Sequence, residues 1–193
     1  MPPRRFIVAG PSGSGKSTVF PVSGFGVDCF NADDHAAQLN RGNYAGIPRE
    51  IREQVNRLFE SFVFDCISRR VSFALETTLR SSATFEQAAA AKREDFAIEM
   101  HYLALDSFAR HLDRVRIRAD KGGHSAPEPV LRAIYEASMS NLPRAIREMD
   151  KITVYDNSLF DTSPRILLQA VNGEILFAAE QIPDWLELAL AEL

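Results

Sequence analysis

Residues 10–17 read Gly10-Pro11-Ser12-Gly13-Ser14-Gly15-Lys16-Ser17, which is a complete G-x-x-x-x-G-K-[ST] phosphate-binding loop. Its glycines let the backbone curl so that successive N–H groups point at phosphate oxygens. We expect Lys16 to reach the β- and γ-phosphates and the Ser17 hydroxyl to hold Mg²⁺. The pattern therefore predicts binding of a nucleoside triphosphate, although hydrolytic switches, motors and kinases all share it.

The sequence on either side of this loop has the pattern of a strand before it and a helix after it. Arg5-Phe6-Ile7-Val8-Ala9 is short, mostly apolar and followed by glycine, as is typical of a buried strand. The residues after the loop can begin a helix, whose N-terminal dipole also favours phosphate. The alternative is a glycine-rich turn with a surface lysine, but a chance match at every position is rare in so short a chain.

The composition is that of one α/β domain spanning residues 1–193. Of the 193 residues 46% are hydrophobic, which is enough for a sizeable core. The net charge of −4 argues against a nucleic-acid partner, because dedicated nucleic-acid binders are usually basic. Cys29 and Cys66 form no C-x-x-C pair, so we expect free thiols. No run of about 18 apolar residues occurs, and we expect a cytoplasmic protein without a membrane segment.

Hydrophobic periodicity predicts alternating strands and helices along the rest of the chain. Further strands are predicted at residues 27–31, 71–76, 96–105 and 152–155. Helices are predicted at residues 49–70, 82–93, 106–121, 127–149 and 184–193. Two runs at 165–171 and 174–178 flank Asn172-Gly173, which is a strong hairpin signal. The predicted fold class is therefore α/β: a three-layer P-loop NTPase with a mainly parallel five-stranded sheet, a helical lid near 106–149, and a C-terminal hairpin plus helix.

Polar residues follow each predicted parallel strand at its carboxyl end, which is where ligands bind in such sheets. The first strand ends in the phosphate loop. The others end in Asn31-Ala32-Asp33-Asp34, Glu76-Thr77-Thr78, Asp106-Ser107 and Asp156-Asn157-Ser158. We expect these residues to gather around the bound triphosphate.

Asp33 is the first candidate, and Asp34 the second, for a carboxylate that accepts a proton from a phosphoryl acceptor. The alternative is that an aspartate caps a helix over 35–39, a function that we expect of Asp34 rather than of Asp33. Glu76 ends a buried apolar strand, so its carboxylate needs a partner or a metal to offset desolvation. It could hold Mg²⁺ through water or bind substrate. Thr77 and Thr78 could bind substrate or phosphate, or simply pack at the strand end.

Arg110, Arg114 and Arg118 are spaced four residues apart and lie on one face of a predicted helix. A row of guanidinium groups opposite a phosphate loop can stabilise the charge of a transferring phosphoryl group. The alternative is a solvated charged face. Gly122-Gly123 directly follows this helix and favours a lid that closes over nucleotide, in which His124 contacts phosphate or stabilises the turn.

In their order along the chain, these motifs resemble those of the zeta-toxin family of small P-loop kinases. The matching stretches run from Phe6 to Ser158, which is most of the chain. They are Ala9 to Thr18, Asn31-Ala32-Asp33, Glu76-Thr77-Thr78-Leu79, Arg114-Val115 with Arg118, Gly122-Gly123-His124 with Pro127, Ser138 with Asn141-Leu142-Pro143, and Tyr155-Asp156-Asn157-Ser158.

The chain departs from the family pattern at two places. It has Ser125-Ala126 where the family often has aspartate and valine. It has Ala133, Ile134 and Ala137 where the family often has arginines near a helical tyrosine.

The resemblance implies a kinase-like fold and an ATP-dependent, Mg²⁺-dependent phosphorylation of a sugar hydroxyl. In toxins of the family the acceptor is the 3′-hydroxyl of the amino sugar in UDP-N-acetylglucosamine. The resemblance also implies that Asp33 is the general base and that Lys16, Arg114 and Arg118 contact the transferring phosphate. The other implied sites are sugar-nucleotide contacts at Asp33, Glu76, Thr77 and Thr78, a metal contact at Ser17, and ATP contacts at Gly10, Pro11, Ser12, Gly13, Ser14, Gly15, Lys16, Ser17, Thr18 and Asn157.

The expected partners are a small-molecule acceptor and, by the same resemblance, an antitoxin-like protein. Two further functions stay open at this point. One is a kinase for another acceptor, such as a nucleoside, an antibiotic or a nucleic-acid end. The other is a nucleotide-binding regulatory module or toxin–antitoxin component without UDP-sugar kinase activity. Consumption of ATP that depends on an acceptor distinguishes the kinases from the module.

Overall fold

Strands and helices alternate from the first strand to the fifth, as the hydrophobic periodicity predicts. The structure is a computed structural model in which residues 1–123, 125–159 and 162–193 are described. The strands are β1 (Arg4–Ala9), β2 (Asp28–Phe30), β3 (Phe73–Thr77), β4 (Ala97–Ala104), β5 (Lys151–Asp156), β6 (Arg165–Val171) and β7 (Glu174–Ala178). The helices are α1 (Lys16–Val19), α2 (Ala32–Leu39), α3 (Arg49–Ser68), α4 (Ala83–Arg93), α5 (Phe108–Asp120), α6 (Glu128–Ser140), α7 (Leu142–Glu148) and α8 (Asp184–Ala191), with a 3₁₀ helix at Val22–Phe25.

The described strands form one sheet in the order β2-β3-β1-β4-β5-β6-β7. The first five of these run parallel, and β6 and β7 add an antiparallel hairpin at one edge. The predicted five-stranded parallel sheet with an appended hairpin is therefore confirmed. Asn172 and Gly173 have φ angles of 51° and 80°, the left-handed conformations that a two-residue hairpin turn needs.

β1 lies between β3 and β4, and its side chains alternate between two hydrophobic clusters on opposite faces of the sheet. Ile7 belongs to the larger cluster, which includes residues of α4, α7 and α8. Val8 belongs to a smaller cluster that includes Val22 and Phe25 of the 3₁₀ helix. This arrangement gives three layers and leaves the carboxyl ends of the parallel strands free for a site.

The helix predicted over residues 127–149 is wrong in one respect, because α6 ends at Ser140 and α7 begins at Leu142. Pro143 has no N–H to donate to the carbonyl four residues earlier, so a continuous helix cannot pass through it. Asn141 lies at the junction, and its side-chain Nδ2 donates to the Leu79 carbonyl at 2.9 Å. In the described part of the chain, no helix is both long enough and apolar enough to cross a membrane.

Arg5 in β1 is fully buried, and among the described residues no carboxylate forms an ion pair with it. Its Nη2 donates to Gln87 Oε1 at 3.0 Å and its Nη1 to the Thr84 carbonyl at 3.5 Å, while Nε has no partner among the described residues. Burial lowers the pKa of Arg5 to about 9. A buried cation without a counter-charge opposes folding.

We expect Arg5→Met to raise the free energy of unfolding at pH 7 by about 1–4 kcal/mol, because it removes this charge from the core. The pKa of Arg5 is lower in the folded than in the unfolded chain, so the cost of burying the charge is fully present below pH 9 and decreases as the pH rises above 9. Urea denaturation measures the change. Arg4→Met is the control, because Arg4 is half exposed and pairs with Glu99. A less stable Arg5→Met would show that the hydrogen bonds to Gln87 and Thr84 outweigh the desolvation cost.

Candidate active site

The loop after β1 turns tightly at three glycines with positive φ. The φ angles of Gly10, Gly13 and Gly15 are 137°, 82° and 91°. A Cβ atom on Gly10 would lie 2.0 Å from the Leu103 carbonyl oxygen, and one on Gly13 would lie 2.5 Å from the His111 carbonyl oxygen. Only glycine permits both the backbone conformation and these close approaches.

Two side chains from distant parts of the sequence fasten the loop. Asn157, just after β5, donates from Nδ2 to the Ser14 carbonyl at 2.8 Å. His111 of α5 accepts the Leu105 N–H at Nε2, at 3.0 Å, so its proton is on Nδ1, which donates to the Ser12 carbonyl at 3.0 Å. Burial lowers the pKa of His111 to about 4, and the ring is therefore neutral at pH 7.

Lys16 and Ser17 both meet the carboxylate of Glu76, at the end of β3. Lys16 is buried, and its Nζ donates to the Gly10 carbonyl at 2.8 Å and the Pro11 carbonyl at 3.0 Å, with Glu76 Oε1 3.9 Å away. Ser17 Oγ donates to Glu76 Oε2 at 2.7 Å. Burial lowers the pKa of Lys16, and the nearby Glu76 opposes that shift. The partner that Glu76 needs at the end of a buried strand is thus the loop itself.

A cleft of about 1020 Å³ lies over the carboxyl ends of the parallel strands. It brings together most of the residues that the sequence analysis selected. Those that line it are Ser12, Gly13, Gly15, Lys16, Ser17, Thr18, Asp33, Glu76, Thr77, Thr78, Arg114, Arg118 and Asn157. Gly10, Pro11 and Ser14 are buried and do not line it, so they contribute the curled backbone beneath it.

Asn31 caps α2, so the expectation that Asp34 is the cap is wrong. Asn31 has an extended backbone, and its Oδ1 accepts the N–H groups of Asp33 at 3.0 Å and Asp34 at 3.3 Å, as an N-cap does. Asp34 is exposed and accepts a hydrogen bond from the Tyr44 hydroxyl at 2.9 Å. Asp33 is half-buried in the first helical turn and lines the cleft.

Of the three arginines predicted to face the phosphate loop, Arg114 and Arg118 line the cleft and Arg110 does not. Arg110 is held by Asp106 Oδ2, 3.1 Å from its Nε, and by the Ser158 carbonyl, to which Nη1 donates at 3.0 Å. Arg114 donates from Nη2 to the Asn157 carbonyl at 2.7 Å. Burial lowers the pKa of Arg114, and the neighbouring Arg110 lowers it further.

The glycine pair after α5 packs against Arg118. The Gly123 N–H donates to the Arg118 carbonyl at 2.9 Å, and a Cβ on Gly123 would lie 2.6 Å from Arg118 Cγ. Glycine at this position is therefore required by close contact, besides the hinge predicted for the pair. His124, which we expected to contact phosphate or stabilise the turn, lies outside the described residues.

Several residues of this region were not expected from the sequence. Arg52 and Asn56 of α3 line the cleft, as do Arg80 and Ser81 after β3. Arg52 and Asn56 are four residues apart and so lie on one face of α3. Arg80 directly follows the Glu76-Thr77-Thr78-Leu79 motif. Both patterns are visible in the sequence and could have indicated these residues. No sequence pattern indicates that His111 contacts the phosphate loop, because a single histidine on a buried helix face looks the same in sequence as one that only packs in the core.

The cleft is positively charged although the chain is negatively charged. Its lining carries two carboxylates, Asp33 and Glu76, against six cationic side chains: Lys16, Arg52, Arg80, Arg114, Arg118 and Lys121. The net charge of the whole chain is −4. This segregation favours anionic ligands at the strand ends.

The residues of the loop fit a triphosphate and Mg²⁺. The curled backbone is of the kind that presents N–H groups to phosphate, and Ser14 Oγ is buried with no partner among the described residues. The Ser17 hydroxyl and Glu76 carboxylate are oxygen donors of the kind that Mg²⁺ prefers. Across the described residues, no three His, Cys, Asp or Glu side chains could hold a metal by themselves. Mg²⁺ at Ser17 would therefore depend on phosphate oxygens.

Comparison with solved structures shows the same fold in proteins of several kinds. A chain of the AvrRxo1-ORF1:ORF2 complex with ATP matches with a TM-score of 0.70 and 17% identity, over 98% of this chain and 63% of that one. A chain of the PezAT toxin–antitoxin system of Streptococcus pneumoniae matches with a TM-score of 0.64 and 15% identity, over 99% and 78%. A chain of the Pnkp1/Rnl/Hen1 RNA repair complex matches with a TM-score of 0.57 and 18% identity, over 85% and 48%.

At the level of sequence, an uncharacterized protein of Haemophilus influenzae is 27% identical over 127 residues, which are 65% of this chain and 88% of that protein. No family model matches the chain. The chain spans less than two thirds of the AvrRxo1 complex chain. These comparisons confirm the three-layer α/β P-loop fold, which is the fold that the zeta-toxin resemblance implies.

We expect Gly15→Ala to weaken ATP binding roughly tenfold or more, because its Cβ would lie 2.4 Å from Asn157 Nδ2 and break the bond to Ser14. Isothermal titration with Mg²⁺-ATP measures the loss. Gly26→Ala is the matched control, since Gly26 also has a positive φ, 66°, but nothing lies within 4 Å of its added Cβ. Equal affinities of the two variants would show that the Asn157 contact is dispensable.

We expect the lowered pKa of His111 to decrease the free energy of unfolding by about 3 kcal/mol as the pH falls from 6.5 to about 4. In that range the unfolded chain takes up a proton at His111, whereas the folded ring stays neutral. Denaturant unfolding between pH 7 and 4 should show a shallower decline for His111→Gln than for the wild type, although the variant starts less stable. Parallel declines would contradict a buried neutral ring.

Proposed function

We propose that this protein is a Mg²⁺-ATP-dependent kinase that phosphorylates a hydroxyl group of a small molecule. The observation that carries the proposal is the placement of Asp33 in one cleft with Lys16, Arg114 and Arg118. The cleft also continues beyond the phosphate loop to Arg52 and to the turn after β3. A regulatory nucleotide switch needs no such second compartment, whereas a kinase needs room for an acceptor.

In this proposal Asp33 is the general base. Its carboxylate accepts the proton of the acceptor hydroxyl as that oxygen becomes the nucleophile, a step for which the base must be within hydrogen-bond reach. Bound Mg²⁺-ATP supplies the phosphoryl group, and the metal neutralises part of its charge. Lys16, Arg114 and Arg118 stabilise the negative charge on the transferring group.

The two residues that end β3 have different functions in the proposal. Glu76 orients the Ser17 hydroxyl, which would hold Mg²⁺. Glu76 also lines the cleft into which the acceptor would bind. Thr77 Oγ1 accepts the Leu79 N–H at 3.1 Å and so shapes the turn. Both threonines line the cleft, and because the Thr77 hydroxyl is engaged with Leu79, we assign the contact with the acceptor to Thr78.

The charges of the second compartment favour an anionic acceptor. Arg52 and Arg80 line it, and neither forms an ion pair with any described residue. UDP-N-acetylglucosamine, the acceptor implied by the zeta-toxin resemblance, carries a diphosphate that complements these guanidinium groups. We propose it as the first acceptor to test.

We further propose an antitoxin-like protein partner. The support is that one compared chain comes from the AvrRxo1-ORF1:ORF2 pair and another from the PezAT toxin–antitoxin system. Co-expression with the product of a neighbouring small gene, followed by a kinase assay of the purified complex, tests this. Inhibition on complex formation supports the partner, and unchanged activity argues against it.

We expect Asp33→Asn to lower acceptor phosphorylation by about 10²–10⁴-fold and to keep ATP binding, because it removes the base and leaves the phosphate loop intact. Mass spectrometry of reactions with Mg²⁺-ATP and a panel including UDP-N-acetylglucosamine, nucleosides, antibiotics and oligonucleotide ends detects the phosphorylated product. Asp34→Asn is the matched control, because Asp34 is exposed, bonds to Tyr44 and does not line the cleft.

Phosphorylation of another compound in the panel would support the kinase function and show that this compound, and not UDP-N-acetylglucosamine, is the acceptor. ATP binding without product on any member would favour the regulatory module. Full activity of Asp33→Asn would remove Asp33 from the role of base.

A further inference from the structure

Helix α6 carries three distinct stripes of side chains. Leu131 and Ser138 are buried against the rest of the protein. Charged residues recur at every fourth position, and the first of them, Glu128, pairs with Arg116 at 3.1 Å and Arg132 at 3.6 Å. The third stripe is apolar and is exposed or half-buried; it comprises Pro129, Val130, Ala133, Ile134 and Ala137.

This third stripe and Arg80 line a shallow groove of about 430 Å³. Arg80 and Ile134 line the catalytic cleft as well. The groove therefore continues the second compartment of the cleft. Its floor is the apolar stripe of α6, and the Arg80 guanidinium group lies where the groove and the cleft meet.

The two walls of the groove are fixed relative to each other. Leu79, next to Arg80, is fully buried and has a φ of 57°, a conformation that a leucine adopts only when its surroundings impose it. Its carbonyl accepts the hydrogen bond from Asn141, the residue directly after the end of α6. The turn that carries Arg80 is thus bonded to the helix that forms the floor, and the groove is preformed rather than a chance surface depression.

We propose that the acceptor is amphipathic: its hydroxyl lies at Asp33, an anionic group lies at Arg80, and an apolar ring or short alkyl chain lies in the groove on α6. This rests on the proposed kinase function and names the class of its substrate. Each methylene group buried in the groove raises acceptor affinity about fourfold, which is enough to select such acceptors over purely polar ones. A solvent-exposed apolar stripe at the mouth of a cationic cleft is thereby covered when the acceptor binds.

The test uses 1-anilinonaphthalene-8-sulfonate, which is a sulfonate anion with apolar rings, and protein whose phosphate loop is filled with Mg²⁺-ADP. We expect saturable fluorescence with the wild type and at least about tenfold weaker binding to Ala133→Glu, which places in the groove a charge that repels the sulfonate and is incompatible with an apolar ring. Ala89→Glu is the matched control, because it makes the same substitution at an exposed position of α4. Thermal unfolding of both variants checks that they are folded.

A second arm tests the combination of charge and apolar surface. We expect 1-naphthyl phosphate to displace the probe from the wild type at concentrations at which inorganic phosphate does not. Equal displacement by both, or probe binding that Ala133→Glu leaves unchanged, overturns the proposal. If Leu176→Lys abolishes the probe fluorescence, the probe binds the exposed hairpin rather than the groove, and this result also overturns the proposal.

These outcomes are independent of the kinase assay. Phosphorylation of a purely polar acceptor that depends on Asp33, with no effect of Ala133→Glu on probe binding, would leave the kinase function standing and reject the amphipathic acceptor. If a panel product carries an apolar group, and its KM rises in Ala133→Glu but not in Ala89→Glu, both proposals are supported.

Discussion

The hydrogen bond from Asn157 to the Ser14 carbonyl is the contact on which the candidate site depends. It joins residues 143 positions apart and ties the phosphate loop to the end of β5. Gly15 lies against the same amide, and a side chain there would break the contact. Because the strands on both sides of β1 are parallel, one rigid loop brings the ends of β3, β4 and β5 around a single anion site.

Electrostatics explains how charge is distributed between the buried phosphate loop and the exposed parts of the cleft. Burial of the Lys16 ammonium group is costly unless a counter-charge is near. Glu76 supplies that charge 3.9 Å away and also accepts a hydrogen bond from the Ser17 hydroxyl. The remaining cations of the cleft lie at exposed or half-buried positions in α3, in α5, at Lys121 directly after α5, and in the turn after β3. Burial thus concentrates at the loop, and solvated positive charge surrounds it, where anionic molecules can enter and leave.

The fold could be predicted in detail because its signals are local. The apolar runs, the Asn172-Gly173 turn and the phosphate loop each depend on residues close together in sequence, and all three agree with the structure. The errors were also local in origin. Pro143 ended a helix that periodicity alone would continue, and Asn31 capped α2 in place of Asp34, because periodicity does not register a missing N–H or a side-chain acceptor.

The sequence by itself determined the fold class, the phosphate loop and the set of strand-end residues, since strand and loop patterns dictate which side chains leave the sheet at one edge. Only the tertiary structure decided which arginines face the cleft, that His111 fastens the loop, and that Arg80 joins the cleft to a groove on α6. Those outcomes depend on how α3, α5 and α6 pack over the sheet. Packing of that kind is set by contacts between residues far apart in the chain, which no local pattern records.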